Sequence, residues 1–311
     1  MSEPEILVEV SDGIGRIRLN RPRAINAINT AMMRTITTAL TEFAADGDVD
    51  RVELTGAGDR GLCAGADVRQ LRTAALEGGD VAEFFIVEYA LNQMIAAYPK
   101  PYRAIMTGVT MGGGLGLSVH GSQRVVDATS VLAMPETQIG FFPDVFVSQL
   151  LARMPGEIGT HLGLTGTSIN AADAIRLGWA DTCTGPLPAP DPVLASDWIA
   201  ECYASDNAEE IVARLADHSD PNARAAAAEL ERRSPLAVAI SLEVLRRART
   251  FPTLTDQYEQ ELAVAVRMVT GPDFAEGVRA QLVNRDRNPR WAHSSLSDVS
   301  RAEVLSYFEP L

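Results

Sequence analysis

A run of three glycines after an apolar stretch is the feature of this sequence that most limits how the chain can fold. Residues 104–110 (AIMTGVT) are apolar enough to form a buried strand, which MGGG at residues 111–114 interrupts. Residues 115–120 then read as a short apolar helix that Gly121 can cap. The order of strand, glycine turn and helix leaves backbone amides at a helix N-terminus, where the helix dipole and the unpaired N–H groups favour a developing oxyanion.

Three consecutive glycines also have a purely structural explanation, because tight turns and close helix–strand packing both favour a missing side chain. A second glycine turn of the same kind favours the functional explanation over the purely structural one. Residues 51–55 (RVELT) read as a strand, residues 61–67 (GLCAGAD) as a glycine turn, and Asp67 as the N-cap of the next helix. Two such turns can each donate one N–H group to a single carbonyl oxygen, so the sequence predicts an oxyanion-binding site.

Carboxylates follow the second glycine turn at two further breaks in the chain. Residues 124–126 and 130–133 are rich in β-forming residues, and the second run leads into Glu136. A turn with the sequence GFFPD, at residues 140–144, then ends in Asp144. A carboxylate close to an oxyanion site can act as a nucleophile or as a general base.

The turns, with motifs elsewhere in the chain, resemble those of the crotonase (enoyl-CoA hydratase/isomerase) superfamily, and within it the 3-hydroxyisobutyryl-CoA hydrolases. The resemblance covers nearly the whole chain. Besides the turns and MPETQIGFFPD, the motifs that carry it are LNRP (19–22), FFIVEYALN (84–92), SPLA (234–237), EGVRA (276–280) and YFEPL (307–311). It implies an α/β fold, a spiral of ββα units with a C-terminal helical region.

A domain edge is expected near residue 190, because residues 186–192 hold four prolines and the later sequence becomes helical in character. We therefore expect residues 1–190 to form the crotonase-like core with the active site, and residues 191–311 to form the helical region. Within the core, the alternation of residues 6–19 predicts a hairpin, and Thr30 is expected to cap the helix that follows.

Composition excludes several other functions. With 46% hydrophobic residues among 311, the chain can bury a large core, but it has no apolar run of about 18 residues that would predict a membrane span. Three scattered cysteines and four histidines give no metal spacing, and the acidic N-terminus lacks a signal-peptide pattern, so we expect a cytoplasmic, metal-free protein. A net charge of −14 argues against nucleic acid as a partner.

The resemblance implies a cofactor-free thioesterase that takes coenzyme A only as part of its substrate. It assigns the thioester oxygen to the N–H groups of Ala64 and Gly113, and the catalytic carboxylate to Glu136. Asp144 would bind a substrate 3-hydroxyl and assist proton transfer. Glu136 either attacks the thioester to give an anhydride or activates water as a general base, and the sequence leaves both routes open.

Further substrate contacts are implied by the same resemblance at Glu88, Gly65, Asp67, Gly112, Arg23 and Arg285. Glu88 would help to order the pocket, Arg23 would contact the phosphates of coenzyme A, and Arg285 would reach the nucleotide from a neighbouring subunit. Because coenzyme A is anionic and the chain is acidic, such arginines must form a local positive path. The resemblance also implies a homo-oligomer, for example a trimer.

Two departures from the superfamily pattern affect the choice of reaction. Crotonase hydratases carry a second catalytic glutamate at the position of Gly116, and the hydrolase branch lacks it, so this residue favours hydrolysis. The hydrolases also continue FPDV with a glycine-rich run, where this chain has FVSQ at residues 146–149. Because the added bulk can reshape the acyl pocket, the sequence does not specify the acyl group of the substrate.

The expected reaction is hydrolysis of 3-hydroxyisobutyryl-CoA, a step of valine catabolism, to the free acid and coenzyme A. Isomerisation or hydration of an enoyl-CoA is the first alternative, because isomerisation can proceed with Glu136 alone. The second alternative, from another class, is a non-catalytic acyl-CoA-binding or assembly protein that keeps the fold without turnover.

Overall fold

The computed structural model describes residues 3–311, which divide into two compact units. The first comprises the described residues up to Asp67, together with Ile86–Ala133 and Ser168–Pro190, and the second comprises Val68–Phe85, Met134–Thr167 and Asp191–Leu311. Residue 190 therefore ends the last segment of the first unit and is also the end of the predicted core. The second unit takes in two earlier segments besides the helical C-terminal part of the chain.

The first unit contains two sheets. The strands of the described residues are β1 (Ile6–Ser11), β2 (Ile14–Leu19), β3 (Arg51–Gly56), β4 (Tyr102–Ile105), β5 (Val109–Met111), β6 (Gln123–Asp127), β7 (Val131–Ala133) and β8 (Thr182–Thr184). The main sheet has the order β1-β2-β3-β4-β6-β8, with β1 antiparallel to β2 and the other pairs parallel. Strands β5 and β7 form a separate parallel pair.

Helices account for the rest of the regular structure, and the predicted α/β class is confirmed. The α-helices of residues 3–311 are α1 (Thr30–Ala45), α2 (Val68–Leu76), α3 (Ala82–Ala96), α4 (Gly113–Gly116), α5 (Val147–Ala152), α6 (Ile158–Thr165), α7 (Ala171–Arg176), α8 (Asp197–Tyr203), α9 (Ala208–Asp217), α10 (Pro221–Leu230), α11 (Pro235–Ala248), α12 (Leu254–Thr270), α13 (Pro272–Val278) and α14 (Arg301–Ser306). Within this range no helix is long and apolar enough to cross a membrane.

The N-terminal hairpin and α1 follow the sequence pattern closely. Ile6 pairs with Leu19 across the predicted hairpin. Helix α1 buries apolar side chains at helical spacing, namely Met33, Ile36, Leu40 and Phe43. The expected cap at Thr30 is wrong by one residue, because the Asn29 side chain accepts the N–H of Met32 at 2.9 Å. Asn is as good a cap as Ser or Thr, so the two adjacent candidates could not be ranked from sequence.

The apolar run at residues 104–110 is not one strand, as predicted, but two. Strand β4 belongs to the main sheet and β5 to the two-stranded sheet, and Gly108 between them has a φ of 57°. The predicted helix at residues 115–120 is also displaced, since α4 begins earlier and is only one turn long. The left-handed glycine redirects the chain within an uninterrupted apolar run, which hydrophobic periodicity does not reveal.

Candidate active site

The two glycine turns of the first unit lie side by side, as the sequence predicts. Cys63 forms an isolated β-bridge with Thr110. Its N–H donates to the carbonyl of Val109 at 3.1 Å, and the N–H of Met111 donates to its carbonyl at 2.9 Å. A Cβ on Gly61 would overlap the backbone of Val109, so this approach requires glycine.

The amides of these turns differ from the predicted pair. Ala64 donates its N–H to the carbonyl of Ile25 at 2.8 Å, so the assignment of Ala64 to the oxyanion site is wrong. Among the described residues, Ala66 donates its N–H to no acceptor, and its nitrogen lies 3.5 Å from the place of a Cβ on Gly113. Gly113 begins α4, where N–H groups have no intrahelical acceptor. The neighbouring amides of Ala66 and Gly113 are therefore the pair that suits an oxyanion.

Glu88, on α3, lies directly behind the second glycine turn. Its side chain is buried, and its Oε1 is 2.5 Å from the place of a Cβ on Gly113. Burial, with a smaller contribution from the charge of Glu88, raises the pKa of the Cys63 thiol to about 12. Cys63 therefore stays protonated near neutral pH and is unsuited to act as a nucleophile.

The other residues of the first unit that are predicted to contact the substrate lie in different environments. Gly65 and Gly112 flank the two amides, with φ values of 106° and 50°. Asp67 accepts a hydrogen bond from Arg21 at 2.9 Å, so its carboxylate ties the first glycine turn to the segment before α1. Arg23 is exposed in a short 3₁₀ helix. In the second unit, Arg285 is exposed, with a φ of 60°.

Glu136 opens a 3₁₀ helix, Glu136–Ile139, in the second unit. The helix ends at Gly140, whose φ is 69°, and the hydroxyl of Thr137 donates to the carbonyl of Leu164 at 2.9 Å. These contacts fix the backbone from which the Glu136 side chain projects. The sequence indicated a break at Gly140, and the structure adds the anchor at Leu164.

The Glu136 carboxylate is buried without full compensation. Its Oε2 has no hydrogen-bond partner among residues 3–311, although only 8% of the residue is exposed. Burial first, and then the charge of Asp144, raise the pKa of Glu136 well above its ordinary value. A buried polar atom without a partner is costly, and one on a carboxylate with a raised pKa is typical of functional sites.

Asp144 precedes an unusual stretch of backbone. It is 5% exposed, and the next two residues, Val145 and Phe146, have φ values of 50° and 59°. Left-handed backbone is rare for bulky and β-branched residues and costs about 1–3 kcal/mol at each position. Nothing in the sequence indicates this conformation, because neither residue is one that favours it.

Glu261, on α12, is a buried carboxylate that the sequence motifs do not single out. It accepts hydrogen bonds from the N–H of Phe146 at 2.9 Å and from the Ser148 hydroxyl at 2.6 Å. Burial, followed by the charge of Asp144, raises the pKa of Glu261 to about 8 despite these bonds. The sequence contains one indication that Glu261 is buried. It lies four and seven residues before Ala265 and Met268, a helical spacing, and both of these residues are also buried.

Glu261→Gln is expected to change how stability depends on pH. A carboxyl with a pKa of about 8 when folded and about 4.5 when unfolded stabilises the fold most at low pH and loses that contribution as pH rises towards 8. Between pH 5.5 and pH 8, the free energy of unfolding of the wild type should therefore fall by about 3 kcal/mol more than that of the variant. Urea unfolding at a fixed protein concentration measures this difference, and parallel pH profiles would contradict it.

Comparison with known proteins places this chain in a family. The model of the enoyl-CoA hydratase/isomerase family matches residues 14–186 and 186–308. The 3-hydroxyisobutyryl-CoA hydrolase of Rattus norvegicus is 34% identical over 99% of this chain and 89% of its own length. The corresponding protein of Gallus gallus is 32% identical over 100% of this chain and 90% of its own length.

Solved structures with the same fold carry different names. A carnitinyl-CoA dehydratase from Mycobacterium thermoresistibile is 40% identical, with a TM-score of 0.94, over 99% of this chain and 97% of that one. An enoyl-CoA hydratase from Rhodobacter sphaeroides is 38% identical, with a TM-score of 0.92, over 99% and 98%. The chain therefore has the crotonase fold and belongs to the enoyl-CoA hydratase/isomerase family.

Proposed function

We propose that this crotonase-family enzyme hydrolyses a short 3-hydroxylated acyl-CoA thioester, with 3-hydroxyisobutyryl-CoA as the expected substrate. The observation that carries the proposal is the buried carboxylate of Glu136, which has an oxygen without a partner among the described residues and Asp144 as a charged neighbour. Full-length relatives named 3-hydroxyisobutyryl-CoA hydrolase support the choice of substrate.

In this proposal, the amides of Ala66 and Gly113 bind the thioester oxygen. The negative charge that develops on that oxygen in the transition state is then stabilised by fixed backbone dipoles, which need no reorganisation. Removing one such donor typically costs about 3 kcal/mol of transition-state stabilisation. Glu88, behind Gly113, helps to order this part of the pocket.

Glu136 attacks the thioester carbonyl directly, giving an anhydride that water then cleaves, or it takes a proton from the attacking water. Both routes need the ionised carboxylate. Because burial and Asp144 raise its pKa, the active fraction of Glu136 grows with pH over a range where an exposed glutamate would already be fully ionised.

Asp144→Ala tests the assignment of the 3-hydroxyl. A buried carboxylate that pairs with this hydroxyl should reject the deoxy substrate, which leaves it without that partner. We expect the wild type to hydrolyse 3-hydroxyisobutyryl-CoA at least about tenfold faster than isobutyryl-CoA, a difference of about 1.4 kcal/mol. Asp144→Ala should remove most of this preference in kcat/KM. An unchanged preference would remove Asp144 from the role.

Hydration or isomerisation of an enoyl-CoA is a second candidate. The names of the two solved structures at 38–40% identity favour it. Against it, the position where crotonase hydratases carry their second glutamate is Gly116, so an acid for the α-carbon proton is missing there. Product analysis separates the candidates, because hydrolysis releases coenzyme A and the other two reactions retain the thioester.

Arg23 and Arg285 are proposed to contact the anionic coenzyme A moiety. Both are exposed, which suits binding to phosphates. Because Arg285 would reach a nucleotide held by a neighbouring subunit, the proposal includes a homo-oligomer, for example a trimer. Arg285→Ala should raise KM at low salt without lowering kcat. A sedimentation mass equal to that of one chain would contradict the contact between subunits.

A further inference from the structure

We propose that Glu261 is a positioning residue for the reaction. By accepting hydrogen bonds from the N–H of Phe146 and the hydroxyl of Ser148, it holds the chain after Asp144 in the conformation that orients the Asp144 carboxylate. The inference rests on the proposed function, because it acts through the role given to Asp144.

Backbone strain is the first reason that this segment needs an anchor. Val145 and Phe146 are consecutive left-handed residues, and neither is glycine. Strain of this kind persists only where the surrounding structure holds it, and it is concentrated at functional sites. Relaxing either residue would turn the peptide that follows Asp144 and with it the direction of the carboxylate.

Hydrogen bonding identifies what holds the segment. The N–H of Phe146, the peptide directly after Val145, is bound by Oε2 of Glu261 at 2.9 Å, while Oε1 accepts the Ser148 hydroxyl at 2.6 Å. Glu261 is fully buried and lies more than 110 residues away along the chain. One carboxyl group therefore holds the strained pair at Phe146 and also holds the chain two residues beyond it, at Ser148.

Gln257 allows this anchor to work in either protonation state. Its amide nitrogen contacts Oε1 of Glu261, whereas its amide oxygen is buried and has no partner among the described residues. The nitrogen donates to an ionised Glu261. A rotated amide presents the oxygen, which accepts the O–H of a protonated Glu261. The anchor thus survives protonation, which the raised pKa of Glu261 favours near neutral pH.

Glu261→Leu is the test, because it keeps about the volume of the side chain and removes both acceptor oxygens, whereas Gln would mimic the protonated carboxyl and keep the bond to Phe146. We expect kcat for 3-hydroxyisobutyryl-CoA to fall about tenfold, equal to about 1.4 kcal/mol, and kcat for isobutyryl-CoA to change less than twofold. Glu259→Leu is the matched control, the same substitution at an exposed position of the same helix, and should leave both values unchanged. General damage to the fold would lower both rates together.

The outcomes separate this inference from the function on which it rests. If the wild type does not hydrolyse these thioesters or shows no hydroxyl preference, the proposed function fails, and the inference falls with it. If the wild type shows the preference and Glu261→Leu keeps it, or loses both activities in parallel, only the role of Glu261 is overturned.

A second variant tests the strain directly. Val145→Gly allows the left-handed backbone without a Cβ, so the anchor should matter less. In that background, Glu261→Leu is expected to lower kcat for the hydroxylated substrate by about threefold or less, instead of about tenfold. Equal losses in both backgrounds would contradict the anchoring of strained backbone.

Discussion

Glu136→Gln is expected to lower kcat for thioester hydrolysis by at least about a thousandfold, because the amide can neither attack the carbonyl nor accept a proton from water. Binding of the acyl-CoA should change less than about twofold, since the shape of the side chain is kept. Steady-state kinetics and equilibrium titration with a non-hydrolysable thioether analogue measure the two effects separately.

Glu259→Gln serves as the control for this substitution, because Glu259 is exposed on a helix of the same unit. It should retain wild-type kcat. A Glu136→Gln variant with near-wild-type kcat would remove Glu136 from the chemistry and leave its raised pKa without a catalytic explanation.

Gly113→Ala keeps the backbone N–H but should displace it from the oxyanion. We expect kcat to fall by about a hundredfold or more, which is the loss typical when one oxyanion donor no longer contributes. A Cβ there would stand 2.5 Å from Oε1 of Glu88 and 2.9 Å from Cδ1 of Ile28, so the turn or its neighbours must shift. The same Cβ would lie in ordinary van der Waals contact with the nitrogen of Ala66, at 3.5 Å. Measurement of kcat/KM on the 3-hydroxyacyl thioester, with circular dichroism to verify folding, gives the result.

The matched control for this glycine is Gly47→Ala. Gly47 has open space around a Cβ and lies away from the glycine turns along the chain. Its variant should keep full activity. If Gly113→Ala also keeps full activity, the oxyanion is not bound by this turn.

The sequence predicted the fold class and the two glycine turns because both depend on local signals. Alternation gave the hairpin, helical spacing gave α1, and glycine clusters marked the turns at residues 61–67 and 111–114. These signals act over a few residues, so a single sequence carries them in full.

Long-range hydrogen bonds explain what the sequence could not predict. Ala64 and Ala66 are both alanines in one turn, and only the bond from Ala64 to the carbonyl of Ile25 shows which amide is engaged. Glu261 resembles any helical glutamate until the bond to Phe146 is seen. Both errors have the same physical origin, a partner distant in sequence.

The departure at residues 146–149 illustrates a third limit. The sequence showed that bulky residues replace a glycine-rich run there, and this was read as added bulk in the acyl pocket. The structure adds a backbone effect, because Phe146 adopts the left-handed conformation that glycine would take without strain. Side-chain identity alone does not reveal a backbone dihedral that tertiary contacts impose.

The central claim, hydrolysis of a 3-hydroxylated acyl-CoA, is tested most directly by product analysis of the wild-type enzyme on 3-hydroxyisobutyryl-CoA, isobutyryl-CoA and crotonyl-CoA. Free coenzyme A is measured with a thiol reagent, and hydration or isomerisation is followed by chromatography of the intact thioesters. We predict release of coenzyme A at least about tenfold faster from the 3-hydroxylated thioester than from isobutyryl-CoA, without efficient hydration of crotonyl-CoA. Efficient hydration of crotonyl-CoA without release of coenzyme A from any of the three would contradict the account.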